Sequence, residues 1–476
     1  MFRADRELAR YLYRERLKRK RSLYLSLLFP GLGQIYQGRV VSGLLFALIF
    51  LFPFYYLYLI GELLSYGGIT LLSSQLILYL LQLYDTYRGS KRESSPCEDF
   101  CPAGVLVPTF MSLCERGEFE KAFASFLSKA PFPFTLGEIC PAECEKRCGV
   151  LPERPLKIRE VHRELGKLIL EKAEVKEREP FFPPSGKKVA VIGGGVAGLT
   201  VAYYLASCGV EVELFEREEE LGGTLNYIPP FKLNRELFKR EVEFITSFKN
   251  IKLRLGEEIR ERPSGFELVV ACVGSQVEKR LPVEAPGLIY PLSFLKNPPP
   301  LKGKKVLVIG AGDTAFDVAR LTARSGGKAV VLYRGSRKEV RAYEKEVREA
   351  LKEGVELRTG CTLKEVKDGR AVFNCGSFDY DYLVPAIGFK VDGELLSSLK
   401  PDFITGDASN GMSSAVEAVG KARETAYWVL KRLGLGERAW FMEDFYVGKP
   451  EKPEGGNLFI VSESSLCQHC GIRVRS

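Results

Sequence analysis

The residues whose spacing could do chemistry are, first, glycines. Val189-Ala-Val-Ile-Gly193-Gly-Gly195-Val-Ala-Gly198 and Val306-Leu-Val-Ile-Gly310-Ala-Gly312-Asp-Thr-Ala315 each read as an apolar strand, a tight turn and the start of a helix. In such a turn the first glycine allows the bend, the second lets backbone approach a pyrophosphate, and the third small residue lets helix and strand pack. The helix N-terminus then presents N–H groups to the phosphate charge. Gly193, Gly195 and Gly198, and again Gly310, Gly312 and Ala315, therefore predict two dinucleotide sites. The strand that follows each turn separates them. Val212-Glu-Leu-Phe-Glu216 ends in a carboxylate able to accept hydrogen bonds from ribose hydroxyls, which suits FAD. Ala329-Val-Val-Leu-Tyr333 runs into Arg334-Gly-Ser-Arg337-Lys338, where cations replace the carboxylate that would repel a 2′-phosphate, which suits NADPH. The competing reading is a tight turn in an empty Rossmann fold.

Cysteines form the second constellation. The chain has 12, and on a cytoplasmic face so many argue for metal or redox chemistry over structural disulfides. Cys97-x3-Cys101-Pro and Cys140-Pro-x2-Cys144-x3-Cys148 bracket a helical stretch, Val105 to Lys129. Closely spaced thiolates with proline after a cysteine suit iron–sulfur binding; zinc and redox-active thiols remain alternatives. Cys114, Cys208, Cys272, Cys361 and Cys375 fall in apolar helix or strand surroundings and read as inert core residues. The two histidines, His162 and His469, lie outside both nucleotide domains, and no Ser-His-Asp set or paired carboxylates appear. That pattern fits hydride chemistry, in which cofactors react and protein positions them.

The elements that must position these residues come from length, charge and hydropathy. At 476 residues there is room for about three domains. Arg3 to Arg21 is crowded with cations, and apolar sequence starts directly afterwards. A secretory signal does not fit, because the apolar region continues to Tyr84 with no small-residue cleavage site. Val40 to Ile60 is long enough to cross a bilayer, and Ile69 to Tyr84 is a second, shorter candidate. Cations before the first and after the second (Arg39; Arg88, Lys91, Arg92) put both ends on the cytoplasmic side. The segment 23–37, with Pro30-Gly-Leu-Gly-Gln-Ile-Tyr-Gln-Gly38, reads as interfacial or re-entrant. A hydrophobic hairpin buried in a soluble protein is the alternative. The basic run next to an apolar span points to anionic lipid rather than nucleic acid.

The expected fold is α/β: two nested Rossmann-like domains for FAD and NADPH, preceded by a helical iron–sulfur domain and a transmembrane helical hairpin. The boundaries are 1–22 for the basic N-terminus, 23–92 for the hairpin and 93–180 for the iron–sulfur domain. The FAD domain takes 186–293 and 384–440, on either side of an NADPH domain at 294–383, and 441–476 is the tail. The second fingerprint is thus inserted in the first domain, and Tyr382-Leu-Val-Pro-Ala-Ile-Gly388 is read as returning to the FAD sheet. Asp407, after Gly406, is expected to bond the flavin ribityl chain or to cap a helix. A helix beginning near Met412 would aim its positive end at the flavin ring.

This order, with Cys101-Pro-Ala-Gly, Gly137-Glu-Ile-Cys-Pro-Ala-Glu-Cys-Glu, Leu221-Gly-Gly223-Thr-Leu and Ala386-Ile-Gly, resembles the small subunit of NADPH-dependent glutamate synthase and its relatives. Those include the N-terminal half of dihydropyrimidine dehydrogenase. The resemblance covers about 94–433 and leaves out the hairpin. It implies two 4Fe–4S clusters, Gly223 in the FAD site, and one cluster held by Cys101, Cys140 and Cys144 with a fourth ligand at the position of His162. It departs from the family in lacking a Cys-x2-Cys pair upstream of Cys97, where Tyr87 to Ser95 stands, and in having Leu136 for another cysteine. Cys97 and Cys148 would then need two more ligands, and Cys467-Gln-His-Cys470-Gly in the tail has the missing spacing. The implied activity is a membrane-anchored NADPH oxidoreductase that passes a hydride to FAD and single electrons through 4Fe–4S clusters to a partner protein or a quinone. The alternatives are an electron-donating subunit for glutamate synthase and a non-catalytic redox sensor or assembly scaffold. The expected location is the cytoplasmic membrane, with the nucleotide domains on the cytoplasmic side.

Overall fold

A computed structural model describes residues 21–37, 39–60, 66–90, 95–148, 155–172, 174–367 and 369–442. Cys467, Cys470, His469, the tail beyond 442 and the basic residues before 21 lie outside the described residues. The chain divides into two units: Met1–Pro133, Ala142–Ala173 and Leu435–Ser476 form one, and Phe134–Pro141 with Glu174–Gly434 form the other.

The first unit is helical among its described residues. Helix α1 (residues 21–28) stops at Pro30-Gly31, where Gly31 takes φ +90°, and the short α2 (Leu32–Tyr36) packs against α3 (Val40–Ile60). The glycines are packing devices: a Cβ on Gly33 would stand 1.9 Å from Ser26 Oγ, and one on Gly43 would stand 2.5 Å from Gly31 O. Helix α4 (Tyr66–Ser90) lies against α3. Polar side chains fill the space between these helices. Buried Gln34 donates to Gln82 O at 3.2 Å and accepts from Gln82 Nε2 at 3.0 Å, Ser26 shares a hydrogen bond with Thr86, and Arg39 pairs with Asp85 at 2.8 Å. Among the described residues one helix, Val40–Ile60, is long and apolar enough to cross a membrane, with a mean hydropathy of 2.2 and only 11 % of its apolar window buried. The second expected span, Ile69 to Tyr84, lies in α4, and Ser73, Ser74, Gln75 and Gln82 lower that helix's apolar character.

Downstream in the same unit come α5 (Pro96–Asp99), α6 (Val107–Glu115), α7 (Phe119–Leu127), α9 (Glu143–Lys146) and α10 (Ile158–Lys172), whereas α8 (Pro133–Ile139), between α7 and α9 in the chain, belongs from Phe134 on to the second unit. Gly117 at φ +73° lets α6 double back on α7. Helix α10 buries Ile158, Val161, His162, Leu165 and Ile169, a three-to-four spacing that makes one face apolar.

The second unit alternates strands and helices: β1 (Lys188–Ile192), α11 (Val196–Ser207), β2 (Glu211–Phe215), α12 (Arg235–Thr246), β3 (Ile251–Arg254), β4 (Leu268–Ala271) and β5 (Val277–Glu278). Then follow α13 (Pro291–Lys296), β6 (Lys305–Ile309), α14 (Asp313–Arg324), β7 (Lys328–Tyr333), α15 (Glu344–Lys352) and β8 (Glu356–Thr359). A hairpin ribbon of β9 (Leu363–Lys367), β10 (Arg370–Phe373) and β11 (Gly376–Asp379) leads to β12 (Tyr382–Pro385) and β13 (Phe389–Lys390). Last come α16 (Gly393–Leu399), β14 (Phe403–Ile404), α17 (Asp407–Asn410) and α18 (Ala415–Arg432).

Two parallel sheets result, ordered β14-β4-β1-β2-β3 and β12-β6-β7-β8. Strand β4 is buried along its length and β1 from Val189 on, as centres of a covered parallel sheet must be. Apolar α11 is buried against α18. The second sheet is an insertion, joined to the first by the antiparallel ribbon β5–β13. One reading is corrected here: Tyr382 to Pro385 does not return to the first sheet but pairs with β6, Tyr382 opposite Val306, and the return is made by β14 beside β4. The parallel edge of β6 accepts another buried apolar strand, and Leu383 and Val384 supply one.

Candidate functional site

In the first turn Gly193 has φ +104°, and a Cβ there would stand 2.4 Å from Cys272 O. On Gly198 a Cβ would stand 1.8 Å from Gly193 O, so this glycine serves helix–strand packing. Gly195 is different. It precedes α11 in an extended conformation, and a Cβ there would meet only Gly223 Cα, at 3.9 Å. Gly222 N–H donates to Gly194 O at 2.9 Å, which closes a cradle made of backbone. Glu216, directly after β2, is buried; its Oε2 accepts from Gly194 N–H at 2.7 Å and its Oε1 from Glu218 N–H at 3.0 Å. Each oxygen keeps a second lone pair for a ribose hydroxyl. Gly406, at φ +66°, comes so close to α11 that a Cβ would stand 2.7 Å from the Ala197 methyl. Asp407 opens the short α17 and accepts from Ser413 N–H at 3.0 Å and Ser413 Oγ at 2.6 Å, closing the loop in front of α18. Burial holds its carboxyl above the usual range. Ser414, two residues beyond Met412, caps α18 with Glu417 in a capping box. The open Gly195 side and backbone cradle fit a dinucleotide such as FAD.

The second turn repeats the pattern. Gly310 has φ +118° and would clash with Ala386 O at 2.1 Å if it carried a Cβ; Gly312, before α14, has nothing within 4 Å of that position. Ala315 is fully buried. Past β7, Arg334 and Arg337 sit on a turn fastened by the Ser336–Glu339 capping box, and Arg337 makes a long 3.4 Å contact with Glu344, both exposed. At Gly335, between the two arginines, a Cβ would meet the Tyr333 ring at 2.8 Å. An open Gly312 with cations beyond the next strand fits NADPH.

A charged group that the sequence reading missed joins the two sheets. Pro229 to Leu233 carries Phe231 and Lys232 from the first domain to α14 and α15 of the inserted one. Lys232 Nζ lies 2.9 Å from Asp317 and 3.5 Å from Glu346; Arg320 lies 2.8 Å from both Glu346 and Glu353. Phe231 faces Arg324 at 4.3 Å and Arg320 at 5.0 Å. The only sequence signal was Asp317 on the apolar side of α14.

The cysteines divide between the units. In the first, α5 packs against α9, and Arg147 lies 4.2 Å over the Phe100 ring, so the Cys97/Cys101 turn and the Cys144/Cys148 turn are neighbours. Cys101 Sγ accepts from Val105 N–H at 3.4 Å, and Cys97 Sγ is 3.0 Å from Ser95 Oγ. Ala142, at φ 57°, turns the chain between Cys140 and Cys144. Partly exposed Cys101 and Cys144, and an N–H aimed at sulfur, fit thiolate ligands of a cluster. Among the described residues no three His, Cys, Asp or Glu side chains converge on a single-ion position.

His162 lies on α10. It is buried, its Nδ1 hydrogen-bonds Pro133 O at 2.8 Å, and its ring packs on Phe126 at 4.7 Å. Burial lowers it to about 4, which keeps the imidazole neutral. With Nδ1–H given to the carbonyl, Nε2 is left as an acceptor, the tautomer a ligand needs.

Cys140 falls in the second unit at the end of α8. The start of α8 is capped by buried Glu241 of α12, which accepts from Phe134 N–H at 2.7 Å and Thr135 N–H at 2.9 Å. Burial pushes this carboxyl up to about 7 against those bonds. Tyr343, whose N–H donates to Asp313, is pushed up to about 12 by burial, with Asp313, Glu417 and Cys140 adding to it.

Cys114, Cys208 and Cys272 are buried, and burial raises the thiols of Cys114 and Cys272, as inert core residues require. Cys361 and Cys375 are a correction: they form a disulfide, because the β10–β11 turn folds over the end of β8.

Residues 83–173 match the family described as dihydropyrimidine dehydrogenase domain II, 4Fe-4S cluster; 191–252 match the NAD(P)-binding Rossmann-like domain and 290–408 the pyridine nucleotide-disulphide oxidoreductase family. The oxidoreductase YgfK of Escherichia coli (strain K12) is 31% identical over 451 residues, 79% of this chain and 43% of its own length. The glutamate synthase [NADPH] small chain of Bacillus subtilis (strain 168) is 31% identical over 283 residues, 51% of this chain and 57% of its own. The NADPH-Fe(3+) oxidoreductase subunit beta of Geobacter sulfurreducens (strain ATCC 51573 / DSM 12127 / PCA) is 30% identical over 298 residues, 57% of this chain and 43% of its own. The chain thus spans about half the length of these relatives. Two open glycine cradles and a cysteine-bearing helical segment stand along the sequence in the same order as these likenesses: the chain is similar to glutamate synthase small chains and to the oxidoreductase YgfK, and its matched segments are those of FAD-, NAD(P)H- and iron–sulfur-dependent oxidoreductases.

Proposed function

We propose that this chain is a membrane-anchored NADPH oxidoreductase that delivers electrons to a partner protein or a quinone. The observation that carries the reading is the pair of glycine cradles in one unit, each open at its second glycine, with Glu216 after one strand and Arg334 and Arg337 after the other. When bound, NADPH and FAD supply a hydride donor and acceptor, and a 4Fe–4S cluster supplies one-electron transfer. The residues of the chain position these groups. Gly195 and Gly312 give backbone access to the pyrophosphates, Glu216 accepts from ribose, and Arg334 and Arg337 pair with a 2′-phosphate. The Lys232 and Phe231 contacts hold the inserted domain against the first. Cys101, Cys140 and Cys144, with His162, would hold one cluster; Cys97 and Cys148, with Cys467 and Cys470 of the tail, would hold another. Membrane attachment is supported by exposed apolar α3 and by the cations that precede it.

The likeness to glutamate synthase small chains supports a second reading, electron supply to a separate large subunit. The missing local Cys-x2-Cys favours a third, a redox sensor or scaffold without turnover.

The test uses full-length protein in detergent. A yellow protein that anaerobic NADPH bleaches, and that then reduces a quinone, a ferredoxin or a viologen, is the expected result. Bound flavin that NADPH cannot bleach would overturn the enzymatic reading, and recovery in the soluble fraction without detergent would overturn the anchor.

A further inference from the structure

The Cys361–Cys375 disulfide lies beside the loop assigned to the 2′-phosphate. Cys361 N–H donates to Tyr333 O and Gly360 N–H to Gly335 O, both at 2.8 Å, so the residues just past β8 hold the two ends of the Tyr333–Gly335 segment that carries Arg334. Those residues are themselves fastened to the β10–β11 turn. Asn374 Nδ2 donates to Gly360 O at 2.9 Å, Thr362 N–H donates to Asn374 Oδ1 at 2.7 Å, and the neighbouring residue is Cys375. The bond therefore ends a short mechanical path: turn, disulfide, Gly360-Cys361, phosphate loop. Its two sulfurs have unequal access, since Cys361 is 3% exposed in the core with Leu307, Leu332 and Leu383, whereas Cys375 is exposed at the tip.

We propose that Cys361–Cys375 is a reversible redox modification site which, when oxidised, stiffens the Arg334–Arg337 loop and strengthens binding of a 2′-phosphate, and which cellular dithiols open. Disulfides that face a reducing compartment are usually transient and redox-sensing, and exposed ones are the labile ones. The step is a two-electron exchange. A thiolate of the dithiol attacks exposed Cys375 Sγ, the protein S–S bond breaks, and Cys361 leaves as a thiolate that takes a proton. The second thiol of the reductant then displaces Cys375 as a thiol, and the reductant departs as its own disulfide. The hairpin stays attached after reduction, because Ala371 and Phe373 remain in the core, so the effect is on loop order rather than on the fold.

The inference rests on the nicotinamide reading of the second site, and the experiment separates the two. Full-length protein is titrated with adenosine 2′,5′-bisphosphate and with adenosine 5′-monophosphate, as isolated and after dithiothreitol, while peptide-level alkylation reports the state of Cys361 and Cys375. The expected result is a pair protected until reduction, and affinity for the bisphosphate that falls about fivefold on reduction, as loss of loop order would give, while the monophosphate is unchanged. Cys375→Ser and, separately, Cys361→Ala should bind like the reduced protein with or without dithiothreitol. Alkylation without reductant, or equal bisphosphate affinity in both states with only a lower melting temperature on reduction, overturns the proposal. Equal binding of bisphosphate and monophosphate in the oxidised protein overturns instead the 2′-phosphate reading on which it stands.

Discussion

One methyl group separates two kinds of glycine in these turns. At Gly310 it would be driven against the Ala386 carbonyl in a backbone region that side chains avoid; at Gly312 it would enter empty space. Gly312→Ala should therefore leave unfolding free energy within about 1 kcal/mol of wild type and weaken NADP+ binding about tenfold or more. Gly310→Ala should lose stability and binding together. Calorimetric titration beside thermal melts separates them, and normal NADP+ affinity in Gly312→Ala would show that no phosphate occupies that space. Arg334 acts on one phosphate only. Arg334→Ala should cost NADPH, and not NADH, about 10- to 100-fold in kcat/KM, the range of a lost charge-assisted hydrogen bond. A parallel loss for both nucleotides would count against its role. The turn geometry of the glycines was legible because glycines at set distances from a strand have few other uses, whereas the role of Arg334 rests on the measurement just described. Cys361 and Cys375 were not legible as a pair, because 14 residues of sequence separate them and only the turn of β10 into β11 brings them together.

At the scale of elements, α8 is fixed at its N-terminus by a carboxyl from a different helix. Glu241 is raised to about 7 when folded, above its ordinary value near 4.5, so the native state keeps its proton where the unfolded chain has lost it. Its contribution to stability is thus whole below pH about 4.5, declines as pH rises toward 7, and is absent above; the span corresponds to about 3 kcal/mol. Glu241→Gln should remove that slope, measured as urea midpoints from pH 4.5 to 8 against wild type. Parallel curves would refute it. The Lys232 loop is the second cross-element device. Lys232→Met leaves Asp317 buried without its ammonium partner and should cost about 3 to 5 kcal/mol. Lys232→Met/Asp317→Asn should recover much of this while flavin reduction by NADPH stays slow, because charge is balanced again but the loop is no longer fastened. Neither device was readable in advance, since an acid on an amphipathic helix looks the same whether it meets water or another helix's N–H groups. The strand Tyr382 to Pro385 was misplaced for a related reason: apolar β-strands carry no mark of which sheet they join.

For the molecule as a whole, order along the chain carried most of the information, and the nested arrangement of two Rossmann-like sheets followed from the order of their fingerprints. The full ligand set of the clusters was not recoverable in the same way, because Cys467 and Cys470 lie outside the described residues and Cys140 belongs to a different unit from Cys101 and Cys144. Iron analysis addresses it. Cys467→Ser/Cys470→Ser should contain about four fewer irons per chain, and an unchanged content with an unchanged paramagnetic spectrum would exclude the tail as a ligand source. The insertion also imposes a schedule on biogenesis. Strand β4 ends at Ala271, yet its partner β14 begins at Phe403. At synthesis rates of about 5–20 residues per second, the flavin sheet leaves the ribosome with an unpaired edge for on the order of ten seconds. By the end of that interval every residue of the inserted sheet, β12 included, has already been made. The nicotinamide domain can thus finish folding while its host is still open, and a slow-folding insert would be felt first as aggregation of the flavin half.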